Sequence, residues 1–321
     1  MQFIARRLAI TLVTLLLVSV LTFLAFNVIR GDPASLILGI EATDEQLAAL
    51  REEMGLNRGL PARYFAWLGN FFTGNLGNSV RFRGEPIAGL IMDRLPVTCA
   101  LASLSLAFVF LLSIPVALIA VRKEGGPLDR IINTMTTVNI SFPGFFLAVL
   151  FIWIFGVTFK FFSPGVYISY AESPAGFFGG LIFPALAIAI PNAAIPVKFL
   201  RASILQQLRL DYVRTARSKG ASPRQVLYRH ALKNGLLPAL TLLGMIVGDI
   251  FSGSIIIEQV FTIPGLGRLL IASISSRDYP MIQTLVVYIA FVVILANTLV
   301  DIAIQVIDPR IRIGEKVEVS A

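Results

Sequence analysis

The sequence predicts an all-α integral membrane protein, and its composition, its apolar runs and its basic residues each support this. Of the 321 residues, 56% are hydrophobic and only 14% are charged, and the mean hydropathy is +0.80. A water-soluble domain of this size could not bury so much apolar surface. We therefore expect six transmembrane helices, with a small helical subdomain outside the membrane after the first of them.

Six apolar runs supply the predicted spans, because about 20 residues of helix cross the hydrocarbon core. They are Leu8–Ile29, Leu95–Val121, Ile131–Phe159, Phe177–Leu200, Ala239–Ile257 and Met281–Ile307. The first run exceeds the roughly 7–15 apolar residues of a secretory signal, so we expect it to be retained as a span. The fourth run contains three prolines and should be kinked or broken.

The basic residues predict the orientation of these spans. With the N-terminus inside, 17 of the 27 Lys and Arg residues fall in cytoplasmic segments. Most of the others lie in one long outer loop, which carries little weight in the positive-inside rule. The net charge of +8 therefore indicates membrane topology and not nucleic-acid binding. We expect both termini to lie on the cytoplasmic side of a bacterial cytoplasmic membrane.

The outer loop between the first two spans shows its own helix signals. Thr43 and Gln46 have the spacing of a capping box, and Gly55 is placed to end the helix that follows. Pro61 is placed to begin a second helix, and a turn-rich cluster follows from Gly74. The loop could be a platform for an external partner or a cap over the bundle.

The sequence contains few residues of the types that enzymes use for catalysis, and it lacks the common catalytic and nucleotide-binding motifs. There is one cysteine, Cys99, and one histidine, His230, and no phosphate-binding loop of the G-x-x-x-x-G-K-[ST] type. We expect no catalytic, cofactor or metal site. Asp249 near the middle of the fifth run could be a proton relay, could face a water-filled path, or could bond neighbouring helices. Asn297 and Asp301, one turn apart on the last run, suggest helix–helix hydrogen bonding.

A basic segment lies between the fourth and fifth runs. A helical pattern extends from Ile204 to Lys219, and Gly220 is placed to end that helix. Ser222 and Pro223 suit the start of a second helix over Arg224–Asn234. The segment could be an amphipathic element on anionic lipid or a knob that docks into a partner.

The basic segment carries a family resemblance. Arg214-Thr215-Ala216-x-x-x-Gly220 resembles the EAA motif (E-A-A-x-x-x-G) of permease subunits in binding-protein-dependent ABC importers. The full stretch DYVRTARSKGASPRQVLYRHALKNGLLP is similar to the dipeptide, oligopeptide and nickel branch, in its first, B-type permease. Arg214 stands where the general motif has Glu and Thr215 where it has Ala, so contacts of that Glu do not transfer to Arg214.

Short matches along the rest of the chain support the resemblance by their order and spacing. They are Gly31-Asp32-Pro33, Gly74 to Ile87, Arg94 to Thr98, Glu258 to Gly267, Arg277 to Pro280, Asn297-x-x-x-Asp301 and Asp308-Pro309-Arg310.

The resemblance implies a set of partners. They are a second homologous permease, two cytoplasmic ABC ATPases that bind ATP and magnesium, an extracytoplasmic solute-binding protein and membrane lipid; no nucleic acid is implied. The ATPases would be coupled through Arg214, Thr215, Ala216, Gly220, Ala221, Ser222 and Pro223. The chain would divide into residues 1–94, a permease core over 95–309 with a coupling loop at 201–238, and a cytoplasmic tail over 310–321.

The resemblance implies small di- and oligopeptides as cargo, with nickel, glutathione or an oligosaccharide as alternatives within the same machinery. A more remote alternative is an ion-coupled secondary transporter, which would act as a single chain and leave the basic segment without a task. A membrane-bound enzyme or assembly factor is the third hypothesis.

Overall fold

The computed structural model describes residues 2–28, 42–53, 57–82, 84–240 and 242–307, and they are predominantly helical. Thirteen α-helices occur in these ranges: α1 Gln2–Val28, α2 Asp44–Glu53, α3 Leu60–Thr73, α4 Ile87–Arg122, α5 Pro127–Ser141, α6 Gly144–Phe151, α7 Pro174–Leu208, α8 Asp211–Ser218, α9 Pro223–Gln225, α10 Leu232–Leu240, α11 Leu243–Val260, α12 Leu266–Ser275 and α13 Tyr279–Ile307. Two π-helical segments, Ile152–Thr158 and Val226–Ala231, continue α6 and α9. The all-α prediction is confirmed.

Four described helices are long and apolar enough to cross a membrane: Arg6–Asn27 of α1, Ile87–Arg122, Pro174–Leu208 and Tyr279–Gln305 of α13. A fifth candidate is the pair Pro127–Ser141 and Gly144–Thr158, which bends by 100° at its break. The predicted run 239–257 falls on α10, residue 241 and α11, and it is not among these candidates. Six spans therefore stay a prediction.

The third predicted span was expected as one helix, and that expectation is wrong. Phe142 is extended, with ψ of 128°, and Pro143, which also has an extended backbone, is the N-cap of α6. A proline has no N–H to continue the helical ladder, so α5 ends before it.

The fourth predicted span was expected to be kinked or broken; it is one continuous helix, so it is not broken, and the kink stays a prediction. Pro184, Pro191 and Pro196 all lie inside α7. Side chains from other helices reach the backbone carbonyls beside these prolines: Asn139 Nδ2 donates to Ile190 O at 2.6 Å, and Ser113 Oγ to Ala193 O at 3.4 Å. These bonds tie α7 to α5 and α4, although neither carbonyl is the one four residues before a proline that loses its helical donor.

The described residues form two compact units. One takes its residues from Met1–Pro96 and Pro264–Leu295, and the other from Val97–Ile263 and the chain after Ala296. The first is centred on buried Ile87, Ile91, Leu266, Leu269, Met281 and Leu285. The second is centred on buried Ala117, Leu118, Val121, Leu200, Ile204, Leu227 and Ala231. The predicted division at residue 94 stays a prediction.

The outer-loop helix signals are present in the first unit. Thr43 Oγ1 accepts from Gln46 N–H at 3.3 Å, and Gln46 Oε1 accepts from Thr43 N–H at 3.1 Å, which completes a capping box ahead of α2. Pro61 lies in the first turn of α3, and Gly74 ends it with φ of 78°. The predicted stop at Gly55 lies outside the described residues.

Candidate docking site

The basic segment begins with a break that the sequence pattern does not reveal. A single helix from Ile204 to Lys219 was expected, but α7 ends at Leu208 and α8 starts at Asp211. Leu210 between them is extended, with ψ of 154°. Asp211 then lies in the first turn of α8, where a negative charge is favoured by the exposed N–H groups. The expectation of one helix is therefore wrong, and α8 is a separate short element.

Gly220 ends α8 as predicted. Its N–H donates to Arg217 O at 2.9 Å, and the N–H of Ala221 donates to Ala216 O at 3.1 Å. This pair of bonds is a Schellman motif, which needs a left-handed residue at its bend. Gly220 supplies it with φ of 87°, and no other atom lies within 4 Å of where a Cβ would stand. The backbone conformation, and not crowding, requires glycine here.

Ser222 starts the second helix as predicted. Its Oγ accepts from Gln225 N–H at 3.3 Å, and Gln225 Oε1 accepts from Ser222 N–H at 3.0 Å. Pro223 occupies the first turn. The helical path then runs through the π-helical segment Val226–Ala231 into α10. The expected helix over Arg224–Asn234 is thus present, but it contains a π segment and extends to Leu240.

The residues at the bend are mostly exposed, and apolar side chains next to them in the sequence are buried. Of the seven residues that the resemblance assigns to ATPase coupling, five are exposed and two are half-buried; the exposed ones are Arg214, Thr215, Gly220, Ser222 and Pro223. Below them, Val213, Val226 and Ala231 are buried. The structure therefore brings the predicted residues together at one protruding bend that is anchored by apolar side chains.

Arg214 points its charge outward. Its side chain is 78% exposed, and its guanidinium lies 3.3 Å from Asp211 Oδ1 one turn earlier. Because both groups are solvated, this pair contributes little to stability. The guanidinium is available to a partner.

Two close contacts fasten the segment to α7. Ser203 Oγ donates to Gly235 O at 3.0 Å in a buried position. A Cβ at Gly235 would lie 2.9 Å from the side chain and 3.3 Å from the backbone of Ile204, so a larger residue would push the two helices apart. On the other side, the Arg122 guanidinium lies 5.0 Å from the Tyr228 ring centre.

Asp249 lies on a mixed stripe along α11. Between residues 245 and 260 the exposed positions recur at helical spacing, and they are Met245, Asp249, Ser252, Ile256 and Gln259. Three of the five are polar. Acids and amides that faced hydrocarbon would be costly, so this stripe is suited to water, to a partner or to cargo.

The other two polar candidates occupy α13. Asn297 is half-buried, and its Oδ1 has no hydrogen-bond partner among the described residues. Its Nδ2 lies 3.9 Å from where a Cβ of Gly248 would stand, so it lies close to α11. Asp301 is half-buried. The roles predicted for Asp249, Asn297 and Asp301 stay predictions.

Sequence reasoning missed two buried charges in the second unit. Glu258 is fully buried and accepts from Thr98 Oγ1 at 2.7 Å. Asp129 is 7% exposed and is paired with Arg201 at 2.6 Å. Both acids lie near the ends of apolar helices, where the sequence alone does not distinguish a solvated charge from a buried one.

Comparison with known proteins yields matches over nearly the whole chain. The family described as "Binding-protein-dependent transport system inner membrane component" matches residues 97–313. The family described as "Binding-prot-dependent transport system membrane comp, N-term" matches residues 1–102.

Individual relatives cover the chain from end to end. A probable peptide ABC transporter permease protein of Sinorhizobium fredii is 37% identical over 310 residues, which is 97% of this chain and 99% of the relative. A putative peptide transport system permease protein of Brucella abortus is 36% identical over 309 residues, 96% of this chain and 98% of the relative. The oligopeptide transport system permease protein AppB of Bacillus subtilis is 32% identical over 312 residues, with 96% and 98% covered.

Proposed function

The chain belongs to the family of binding-protein-dependent transport system inner membrane components and is a permease of an ABC importer, and we propose that it carries small peptides inward. Relatives in three bacterial genera bear names with peptide or oligopeptide transport. Nickel, glutathione and oligosaccharide remain alternative cargoes for the same machinery. As a multi-pass protein of the inner membrane, the chain would keep both termini in the cytoplasm, because that orientation agrees with its basic residues.

The proposed partners follow from the family. The chain pairs with a second homologous permease, two ATPases bind beneath, and a solute-binding protein delivers cargo to the outer face. ATP and magnesium are bound by the ATPases, and this chain is non-catalytic. The sequence has no phosphate-binding loop, which supports that division of labour.

The single observation that carries the coupling proposal is the protruding bend of α8 and α9. Gly220 and the Ser222 cap make it stiff, and buried Val213 and Val226 tie it to the bundle. A rigid element whose apolar side chains are packed into the bundle passes its own displacement on to the helices that it contacts. Closure of the ATPase dimer around this bend would therefore move α7 and α10, the helices on either side of it.

The exposed stripe of α11 supports a transport path that includes Asp249. An ABC permease path must hold water and polar cargo, and three of the five side chains of the stripe are polar. An ion-coupled secondary transporter would use the same carboxylate as its proton relay. The two hypotheses differ in their energy source, so uptake can separate them.

The test is reconstitution of the complex with its binding protein in vesicles. Tritiated di- and tripeptides should accumulate only when the ATPases have access to ATP. Accumulation driven by a proton gradient without ATP, and abolished in Asp249→Asn, would establish the secondary-transporter alternative. Nickel, glutathione or an oligosaccharide retained by the binding protein in place of peptide would reassign the cargo.

A thiol-accessibility experiment tests the path. The chain has one cysteine, so Cys99→Ser gives a cysteine-free background. In the assembled complex, Ser252→Cys should react with a charged, membrane-impermeant thiol reagent, and saturating peptide should slow the reaction. Leu111→Cys is the control, since Leu111 is 65% exposed on the apolar helix α4 and should not react. An unreactive Ser252→Cys would contradict the path.

A further inference from the structure

An ion pair between the buried Asp129 and the half-buried Arg201 links α7 to α5 just before the chain enters the bend at Gly220. Arg201 Nε donates to Asp129 Oδ1 at 2.7 Å, and Arg201 Nη2 donates to Asp129 Oδ2 at 2.6 Å. The N–H of Gly125 donates to the same Oδ2 at 2.9 Å. Asp129 is 7% exposed and Arg201 is 24% exposed. The carboxylate is thus held by three donors in a site largely closed to water.

The two-point contact between Arg201 and Asp129 restricts the relative orientation of the two groups as well as the distance between them. Two parallel N–H···O bonds fix the guanidinium plane against the carboxylate plane. A rotation of α7 about its own axis must therefore either strain the Arg201 side chain or break a bond to Asp129 of α5. A single-point contact, such as that of Lys198 Nζ with Thr137 Oγ1 at 2.8 Å, leaves that rotation free.

Arg201 lies at a mechanically important place on α7. The helix ends seven residues later at Leu208, and the break at Leu210 leads into α8. Ser203 and Ile204 of the next half turn pack against Gly235 of α10. The end of α7 is therefore gripped on two sides, by Asp129 on the α5 side and by Gly235 on the α10 side.

The partner of Arg201 belongs to the bent third span. Asp129 lies in the first turn of α5, whose far end makes the 100° bend into α6. A displacement that enters α7 from the bend at Gly220 can reach this broken span through the Asp129 carboxylate. The contact lies within one compact unit, so the connection is continuous in the second unit.

We infer that Asp129 and Arg201 form a positioning clamp that transmits movement of the α8–α9 bend to the broken span α5–α6. The inference rests on the proposed function, because it assumes that the bend receives work from ATPases. Neither residue contacts cargo or nucleotide in this role; both act by holding α7 at a set angle.

A neighbouring pair supplies a matched control. Arg209 Nη2 lies 3.5 Å from Glu124 Oε1, and these side chains are 78% and 50% exposed. This pair joins the same two regions, but it is solvated and single-pointed, so it should hold no angle. Arg209→Gln should leave coupling unchanged, and it is a better control than Glu124→Gln because the Glu124 carboxylate also acts electrostatically on Arg201.

The experiment compares peptide imported per ATP hydrolysed in the reconstituted complex. Asp129→Asn keeps the shape of the side chain and removes its charge, and Arg201→Lys keeps the charge and removes the planar fork. Each should lower the import ratio about tenfold, which is within the usual range of coupling between sites, while ATP hydrolysis continues. Arg209→Gln should match the unaltered protein.

Other outcomes would overturn the clamp. If both variants import as much peptide per ATP as the unaltered complex, the pair transmits nothing. If hydrolysis, assembly with the ATPases and import all fall in proportion, the pair serves only stability. Arg201→Lys keeps the test decisive if Asp129→Asn fails to assemble. A failure of the unaltered complex to import any peptide would count against the proposed function and not against the clamp.

Discussion

The α2 region and the bend before α9 contain the same local device in different surroundings. Thr43 and Gln46 cap α2, and Ser222 and Gln225 cap α9, with both reciprocal bonds present in each case. The described side chains of α2 are exposed or half-buried. Those that follow Ser222 include buried Val226, Leu227 and Ala231.

The difference between the two capped helices bears on the proposed coupling role of the bend. A capping box depends on only four consecutive residues, so it can form wherever their sequence spacing occurs. Buried side chains connect the helix to the rest of the fold, so that force on one end reaches the other. On this basis, equal local damage to the two regions should have unequal effects on transport.

The largest effect should come from proline at the helix-ending glycines. Gly220 and Gly74 have φ of 87° and 78°, and each donates its N–H to a carbonyl three residues earlier. Proline forbids that φ and removes that N–H, at a local cost of about 3 kcal/mol. Gly220→Pro should abolish ATP-driven peptide uptake with the spans still inserted, whereas Gly74→Pro should retain most uptake. Gly74 ends α3, which follows α2 in the outer loop, so equal losses in vesicle assays would mean that the bend at Gly220 matters no more to transport than a helix end in that loop.

A smaller effect should follow from truncating one leucine in each region. Leu227 is 6% exposed, and its replacement by alanine leaves a cavity that should cost about 3 kcal/mol. Leu47 is only half-buried on α2, so Leu47→Ala should cost much less. Thermal unfolding of the purified complex should show a large shift for the first variant alone. A comparable shift for both would mean that α2 is also anchored.

The smallest effect should come from the caps themselves. Ser222→Ala and Thr43→Ala should each destabilise their helix by about 1 kcal/mol, since the same two bonds are lost. Amide hydrogen exchange should accelerate locally by a similar factor in both. Peptide uptake should fall only for Ser222→Ala, and only modestly. If exchange changes at one cap but not at the other, the two devices are not equivalent.

The sequence predicted the local structure well at the bend around Gly220 and at the cap of α2. Gly220, Ser222, Pro223 and the Thr43 box all behave as their residue types and spacings indicate, because each depends on neighbours within five residues. The break at Leu210 was missed, since a leucine between helix formers gives no local signal for an extended residue.

The apolar runs predicted where the long apolar segments lie in the chain, but not whether each segment forms one unbroken helix. Ile131–Phe159 was expected to be one span, and it bends by 100° where Pro143 interrupts the ladder. α7 contains three prolines and does not break. The same residue type lies at the end of one helix and inside another, so the presence of proline alone did not predict the course of the chain.

What the sequence determined by itself is the membrane character, the helical class, the capped bend at Gly220 and the family resemblance. Each follows from composition or from short-range spacing, which folding does not alter. Only the tertiary structure decided that Asp129 meets Arg201 across 72 residues, that Gly235 must be small beside Ile204, and that Asp249 lies on an exposed stripe. Those facts depend on which helix faces come together, and the contacts that select those faces are distant along the chain.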